Sequence, residues 1–75
     1  MLVGDLIYND DFDVNCNYSI YDCTEGKTHD DGAKIIFSTK TDGFIKPEAK
    51  ILDMEISYIT IEDSTIVIEA KTKRN

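Results

Sequence analysis

The sequence predicts a small, mainly β, α+β domain with about four antiparallel strands and one or two short helices. The 75-residue chain has room for a single domain. Its hydrophobic content of 41% favours a folded chain, although 31% of the residues are charged. Apolar and polar side chains alternate in residues 14–22 and 53–70, which is typical of half-buried strands. We therefore take residues 1–75 as one domain and residues 71–75 as a frayed tail.

The N-terminal half predicts a helix followed by two strands. Residues 2–7 carry apolar side chains at the spacing of one helical face, although Gly4 weakens a helix and leaves a strand open. Residues 14–22 alternate regularly and predict a strand. The polar residues 23–33 predict a flexible hairpin loop, and residues 34–38 predict the second strand.

The C-terminal half predicts a short helix and a β-hairpin. Pro47 begins a segment that fits the first turn of a helix. Residues 53–62 and 65–70 alternate on either side of a two-residue turn and predict the hairpin. The apolar positions change phase after Tyr58, which indicates either a β-bulge or a strand that is apolar on both faces.

The negative charge is concentrated in the N-terminal half. The net charge of the whole chain is −7. Residues 1–33 contain eight acidic residues and one lysine, so this half by itself accounts for −7. Such a surface repels phosphate, so direct binding of nucleic acid or of an anionic membrane is disfavoured and a protein with a basic surface is the expected partner. The alternative is that the charge only keeps the protein soluble. The predicted acidic face consists of Asp10, Asp11, Asp13, Asp22, Glu25, Asp30 and Asp31, with Tyr21 as an aromatic contact.

The sequence also bears on the compartment. The N-terminal residues have neither the basic stretch nor the apolar run of a signal peptide, and no segment approaches the roughly 20 apolar residues of a membrane span. A cytoplasmic location is therefore expected. Cys16 and Cys23 would lie roughly 23 Å apart on one strand, too far for a disulfide, so we expect reduced thiols.

A calcium-binding loop is one alternative interpretation of the acidic half. Asp11, Asp13, Asn15 and Asp22 stand at positions 1, 3, 5 and 12 of an EF-hand loop. Position 6 requires glycine and is Cys16 here, and position 12 is an aspartate rather than a glutamate. A plain strand explains the same alternation, so no metal or cofactor is predicted and the four residues remain weak metal-ligand candidates.

The second polar motif is His29-Asp30-Asp31-Gly32. A histidine beside two carboxylates can hold a divalent cation or act as an acid–base pair. The same residue types are typical of a solvated hairpin tip. No nucleophile, oxyanion donor or second base accompanies the motif in sequence, so we predict no enzymatic activity.

The predicted C-terminal hairpin carries more apolar surface than one small sheet face can bury. Association of two copies would cover the excess, so the sequence predicts a homodimer. The residues expected to mediate self-association are Ile56, Tyr58, Ile59, Ile61, Ile66 and Ile68.

The two ends of the chain show a resemblance to known sequences. The stretches DLIYNDDFDVNCNYSIYD and LDMEISYITIEDSTIVIEA resemble uncharacterised short acidic proteins from phage and mobile-element regions of Firmicutes. The resemblance omits the middle loop and carries no catalytic motif. It implies a genomic neighbourhood in which small acidic proteins often inhibit host defence. The resulting hypothesis is a non-enzymatic inhibitor that occupies a basic nucleic-acid-binding surface of a host defence protein. The alternatives are a self-associating accessory protein and a calcium-responsive module.

Overall fold

The computed structural model describes residues 1–12 and 16–72. Within these residues the chain forms three short helices and four strands, which confirms a small, strand-dominated α+β fold. The helices are one more than the sequence predicts, because a turn of helix also follows the second strand. In chain order the elements are α1 (Val3–Ile7), β1 (Tyr18–Asp22), β2 (Lys34–Ser38), α2 (Thr39–Asp42), α3 (Ala49–Leu52), β3 (Glu55–Glu62) and β4 (Thr65–Lys71).

The four strands form one mixed sheet in the order β2-β1-β4-β3. The outer pairs, β1–β2 and β3–β4, are antiparallel, as predicted. The central pair, β1–β4, is parallel, so the expectation of an entirely antiparallel sheet was wrong for this pair. The cause is the connection through residues 39–54, which is long enough to let β3 run in the same direction as β2. Alternation of apolar residues reports burial and carries no information about strand direction.

The core lies between one face of the sheet and the helices α1 and α3. Gly4 lies where these helices meet, and a Cβ there would make a tight contact, 3.2 Å from the Leu52 carbonyl oxygen. For residues 2–7 the sequence allowed either a helix or a strand, and the helix α1 forms. Its glycine permits close packing against α3. The buried apolar cluster comprises Val3, Tyr18, Ile20, Phe37, Ile51, Leu52, Met54, Ile68 and Ala70. None of the helices in the described part of the chain is long and apolar enough to span a membrane.

The hairpin of β3 and β4 divides the residues predicted to mediate self-association into two groups. Ile68 is 0% exposed, and Ile56 and Ile66 pack against the core. Ile68 is therefore a core residue of the monomer, and its assignment to a self-association surface was wrong. Ile56 and Ile66 are partly buried, and their part in self-association stays a prediction. β4 is a central strand and β3 lies at the sheet edge. Alternation of apolar residues does not report the position of a strand in the sheet, so it could not distinguish buried from exposed residues of the hairpin. The exposed residues of the set are Tyr58, Ile59 and Ile61.

A β-bulge in β3 explains the phase change seen in the sequence. Ile56 pairs with Ala70 and Tyr58 pairs with Glu69, so Ser57 is the extra residue. The Ser57 hydroxyl donates a hydrogen bond to the Glu69 carbonyl oxygen at 3.2 Å. The bulge, one of the two predicted alternatives, is confirmed, and it shifts the side chains that follow it to the opposite face.

The start of β1 and the end of β4 differ slightly from the predicted bounds. β1 begins at Tyr18 rather than at residue 14, and residues 13–15 lie outside the described part. β4 extends to Lys71, and the backbone N–H of Thr72 donates to the Thr24 hydroxyl at 2.8 Å. Residues 73–75 of the predicted tail also lie outside the described part. Cys23 directly follows β1 and is a buried free thiol.

Candidate functional site

A row of polar side chains crosses the sheet on the face opposite to the helices. In β4, Ile68 and Ala70 point into the core, so Glu69 between them points to the other face. The strand register places Tyr21 of β1 and Tyr58 of β3 directly beside Glu69, one on each side. The sheet thus presents a carboxylate between two aromatic rings. Glu69 is nevertheless buried, so another part of the chain covers it.

The covering group is His29, from the loop of residues 23–33. Its ring Nδ1–H donates to Glu69 Oε2 at 2.5 Å, and its backbone N–H donates to the same oxygen at 3.1 Å. The opposite ring nitrogen, Nε2, lies 2.7 Å from Glu62 Oε2. The imidazole lies between Tyr21 and Tyr58, with ring centroids 5.8 and 6.4 Å away. We call His29, Glu62 and Glu69, with the two tyrosines, the His29 clamp.

The clamp is an ion pair at neutral pH. Hydrogen bonds to Glu69 and then to Glu62 raise the pKa of His29 to about 9, so the ring carries a proton on both nitrogens. Burial alone would raise the pKa of Glu69, but the hydrogen bonds and charge of His29 lower it overall. The side chains of His29 and Glu69 are 9% and 8% exposed, whereas Glu62 is 54% exposed. The His29–Glu69 pair is therefore the sheltered part, and Glu62 closes the clamp from the solvent side.

The ionisation of the clamp predicts how stability depends on pH. The pKa of His29 is raised from 6.5 to about 9 by folding, so its contribution is complete below pH 6.5 and is lost as the pH rises through 9. The lowered pKa of Glu69 gives a contribution that is present above its ordinary value of 4.5 and is lost as the pH falls below it. We expect the melting temperature to be highest between pH 4.5 and 6.5 and to fall from there to above pH 9.

Thermal unfolding followed by circular dichroism measures this dependence. The control is His29→Gln, which keeps hydrogen-bonding groups but cannot titrate, and its melting temperature should change less between pH 6.5 and 9. If both proteins lose the same number of degrees over this range, other groups cause the loss and the clamp is not the titrating element.

A buried thiol lies beneath the clamp. Cys23 is 2% exposed, and its pKa is raised, first by burial and then by the negative charges of Glu69 and Asp22. The thiol therefore stays protonated at neutral pH and is a poor nucleophile. An open cavity of about 450 Å³ lies between the loop and the sheet, with Cys23, His29, Ser57, Tyr58, Glu69 and Lys71 among its lining residues. The imidazole of His29 and the thiol of Cys23, which line this cavity, are both protonated at neutral pH.

The predicted acidic face is divided between two regions. Asp22 ends β1 and accepts hydrogen bonds from the backbone N–H and hydroxyl of Thr24. The exposed residues Glu25, Asp30 and Asp31 follow it in the loop of residues 23–33. Asp10 and Asp11 are exposed just before Phe12, whose ring contacts Tyr18 at the opposite end of β1. Asp13 lies outside the described residues.

Tyr21 does not have the position expected of an aromatic contact on the acidic face. Its ring packs against His29 within the clamp and is only partly exposed. Tyr21 therefore supports the clamp from below. The sequence correctly places it on the face opposite to Tyr18 and Ile20, but the loop that covers this face could not be foreseen from strand periodicity.

The calcium-loop interpretation is not compatible with the fold of its second half. An EF-hand loop would bring Asp22 back towards Asp11 around one ion. Instead, residues 18–22 are extended and paired with strands on both sides, so β1 spans about 13 Å between its ends. The other two candidate ligands, Asp13 and Asn15, lie outside the described residues. Among residues 1–12 and 16–72, no group of three or more histidine, cysteine or acidic side chains is placed to hold a metal ion.

Sequence reasoning found His29 but missed its partners. Glu69 carries the signal that could have revealed them, since it is a single acidic residue in the otherwise apolar run of residues 66–70. A strand with apolar residues on both faces is central in a sheet, and a carboxylate buried there requires a partner. His29 is the one histidine of the chain. Glu62 gave no comparable signal because it lies beside the hairpin turn.

Comparison with known proteins does not add to this description of the site. No protein-family model matches the chain, no curated protein is similar to it, and no solved structure matches its fold.

Proposed function

We propose that this protein is a small, acidic, non-enzymatic binding protein that presents the loop of residues 23–33 to a basic surface of another protein. The observation that supports this is the His29 clamp, which fixes the loop to the sheet. Glu25, Asp30 and Asp31 are exposed on this loop. A loop that is already ordered loses less entropy when it binds, so its charges are used more effectively.

The surface charge of the rest of the molecule supports the same role. The described residues include fourteen of the fifteen acidic residues, and four of these form ion pairs: Glu48, Glu55, Glu62 and Glu69. The remaining ten form no ion pair with another described residue. Unpaired exposed carboxylates extend the negative field into solvent, where it attracts a basic partner and accelerates association.

The chemistry of the clamp favours binding over catalysis. A general base at neutral pH needs a nitrogen lone pair, but both nitrogens of His29 donate to carboxylates. A cysteine nucleophile needs a thiolate, but burial raises the pKa of Cys23. Both groups are thus in the protonation state that suits a structural role.

The proposed target is a nucleic-acid-binding surface of a defence protein in the cytoplasm of a bacterial host. Duplex DNA carries about one negative charge per 1.7 Å of its axis, so a groove that binds it is strongly basic. A rigid acidic loop can occupy such a groove and exclude the nucleic acid. The resemblance to short acidic proteins of phage and mobile-element regions gives the biological setting of this proposal.

The test begins with a pull-down from bacterial lysate at low salt and elution with a salt gradient. Each captured protein is then mixed with fluorescent duplex DNA, and displacement of the DNA is measured by anisotropy. A triple variant, Glu25→Gln with Asp30→Asn and Asp31→Asn, is expected to displace DNA about tenfold less effectively than the native protein, since three attractive charges are lost.

The matched control neutralises three exposed acids elsewhere, with Glu48→Gln, Asp53→Asn and Asp63→Asn. It changes the net charge equally and should retain most of the activity. Equal losses in the two triple variants would mean that only net charge matters, and would contradict a specific role for the loop. Failure to capture any basic protein at low salt would contradict the proposed function as a whole.

A further inference from the structure

One stretch of the sheet edge has a backbone that can pair with another strand. β3 is an edge strand, and the N-terminal residues cover its first part. The Ile56 N–H donates to the Met1 carbonyl oxygen at 2.9 Å, and Leu2 forms an antiparallel bridge with Glu55. Beyond the bulge, no other described residue pairs with the outer edge of residues 58–62.

The hairpin turn determines which backbone groups of this edge face outwards. Asp63 and Ser64 have φ values of 51° and 63°, as in a two-residue type I′ turn. In such a hairpin the closing pair, Glu62 with Thr65, is hydrogen-bonded, and bonded and non-bonded pairs alternate from there. The N–H and C=O groups of Ile59 and Ile61 therefore point away from β4.

The side chains of these same two residues are unusually exposed for isoleucine. Ile59 is 43% exposed and Ile61 is 69% exposed, and both lie on the core side of the sheet. Free backbone groups and exposed β-branched side chains together make an edge that favours pairing with another strand.

We propose that a second copy of this chain pairs with this edge, antiparallel to it, with the two-fold axis at Thr60. In this register Ile59 lies opposite Ile61 of the second copy, and Ile61 opposite Ile59 of that copy. Both outward-facing residues then exchange backbone hydrogen bonds, and all four isoleucines form apolar cross-strand pairs. On the other face Tyr58 lies opposite Glu62 of the second copy, so no two carboxylates meet.

Neighbouring registers fit less well. A shift of two residues in one direction places Glu62 of the second copy opposite Ile56, where Met1 already occupies the edge. A shift in the other direction places Ile59 opposite Asp63, within the hairpin turn. The open stretch of residues 58–62 thus has Thr60 at its centre and specifies a single register. An unrelated basic peptide could use the same backbone, but it would gain nothing from this isoleucine pairing.

The proposed dimer is distinct from the proposed binding to a basic partner, and the two are expected to depend on salt in opposite ways. Each copy carries a net charge of −7, so the two copies repel each other and salt should strengthen the dimer. Binding to a basic partner should weaken with salt. The interface is small, so we expect a weak, concentration-dependent dimer.

Sedimentation velocity over a range of protein and sodium chloride concentrations tests the dimer. Ile61→Lys places on the edge the residue type that natural edge strands use to prevent pairing, and it should raise the dimer dissociation constant at least about tenfold. Ile35→Lys is the matched control, because Ile35 is 48% exposed on the opposite edge strand, β2. It should dimerise as the native protein does.

Both variants reduce the net negative charge equally, so increased charge repulsion cannot explain a loss of the dimer. A native protein that remains monomeric at high concentration and high salt overturns the proposal. So does a dimer that is lost in Ile35→Lys and retained in Ile61→Lys, or one formed only with an added basic peptide.

Crosslinking tests the register. Thr60→Cys places two cysteines opposite each other at a non-hydrogen-bonded pair, where Cα atoms are about 4.5 Å apart and a disulfide can form. With oxidised glutathione this variant should crosslink faster than the native protein and faster than Tyr58→Cys, whose partner in the register is Glu62. Equal rates for the two variants overturn the register, whatever the result of the pull-down with basic proteins.

Discussion

Replacing His29 with alanine is expected to lower the melting temperature at pH 6.5 by at least about 5 °C, a large shift for a domain of this size. The substitution removes both ring hydrogen bonds and leaves the Glu69 carboxylate buried without its cation. The loop of residues 23–33 also loses the side chain that fixes it to β3 and β4. Differential scanning calorimetry at pH 6.5 measures the change.

A double variant shows whether the loss comes from the unpaired carboxylate. Glu69→Leu combined with His29→Ala removes both charges and should melt above His29→Ala alone, since an apolar side chain suits this position in a central strand. If the double variant is less stable than His29→Ala by the full cost of a second independent mutation, the two residues do not act as a pair. An unchanged melting temperature in His29→Ala would contradict the clamp itself.

Replacing Ile68 with alanine is expected to cost about 2–5 kcal/mol of unfolding free energy. Ile68 is 0% exposed in the centre of the sheet, so the deleted atoms leave a cavity that neighbouring strands cannot close. Native domains have only about 5–15 kcal/mol of stability in total, and a short chain lies near the lower limit. The variant should be partly unfolded at physiological temperature. Urea denaturation followed by circular dichroism measures the loss.

Ile61→Ala is the matched control on the neighbouring strand. The same atoms are deleted, but Ile61 is 69% exposed, so the unfolding free energy should change by less than about 1 kcal/mol in dilute, monomeric protein. Similar losses in the two variants would show that Ile61 is buried in solution and would contradict the division of the hairpin into core and exposed residues.

The clamp and the proposed function are physically linked. The acidic loop contains two glycines with positive φ, Gly26 and Gly32, so its backbone has little intrinsic rigidity. Backbone hydrogen bonds within the loop form its turns, and Thr24 ties its first residues to Thr72. The contacts of His29 with Glu69 and Glu62 fix its middle to the sheet. We therefore expect His29→Ala to weaken binding to a basic partner even though it removes no acidic residue, because the free loop must be ordered on binding.

Several features of the fold could be predicted from local patterns. The alternation in residues 53–70 predicted the hairpin. Its change of phase after Tyr58 indicated either a bulge or a strand apolar on both faces, and the structure has a bulge, at Ser57. The apolar spacing of residues 2–7 fitted a helical face, although a strand was left open, and α1 forms there. In each case the signal lies within a few consecutive residues, because backbone sterics and the burial of one face act over that distance.

The candidate site could be predicted only in part. His29 and the acidic residues of the loop were visible as polar residues beside glycines. The partners of His29 lie 33 and 40 residues away in sequence. They meet it because β1 and β4 are parallel neighbours and place Tyr21 beside Glu69. Nothing in the local pattern of either strand specifies that neighbour.

The fold class, the strand periodicity and the strongly negative charge could be predicted from the sequence, because composition and short-range alternation encode them directly. The change of phase in the hairpin left a bulge and a strand apolar on both faces as alternatives. The folded chain was needed to show which apolar residues of the hairpin are core, which strands are neighbours, and that His29 lies between two carboxylates. Those properties depend on which distant segments share a face of the sheet. They are set by contacts between residues far apart in the chain, which no local pattern records.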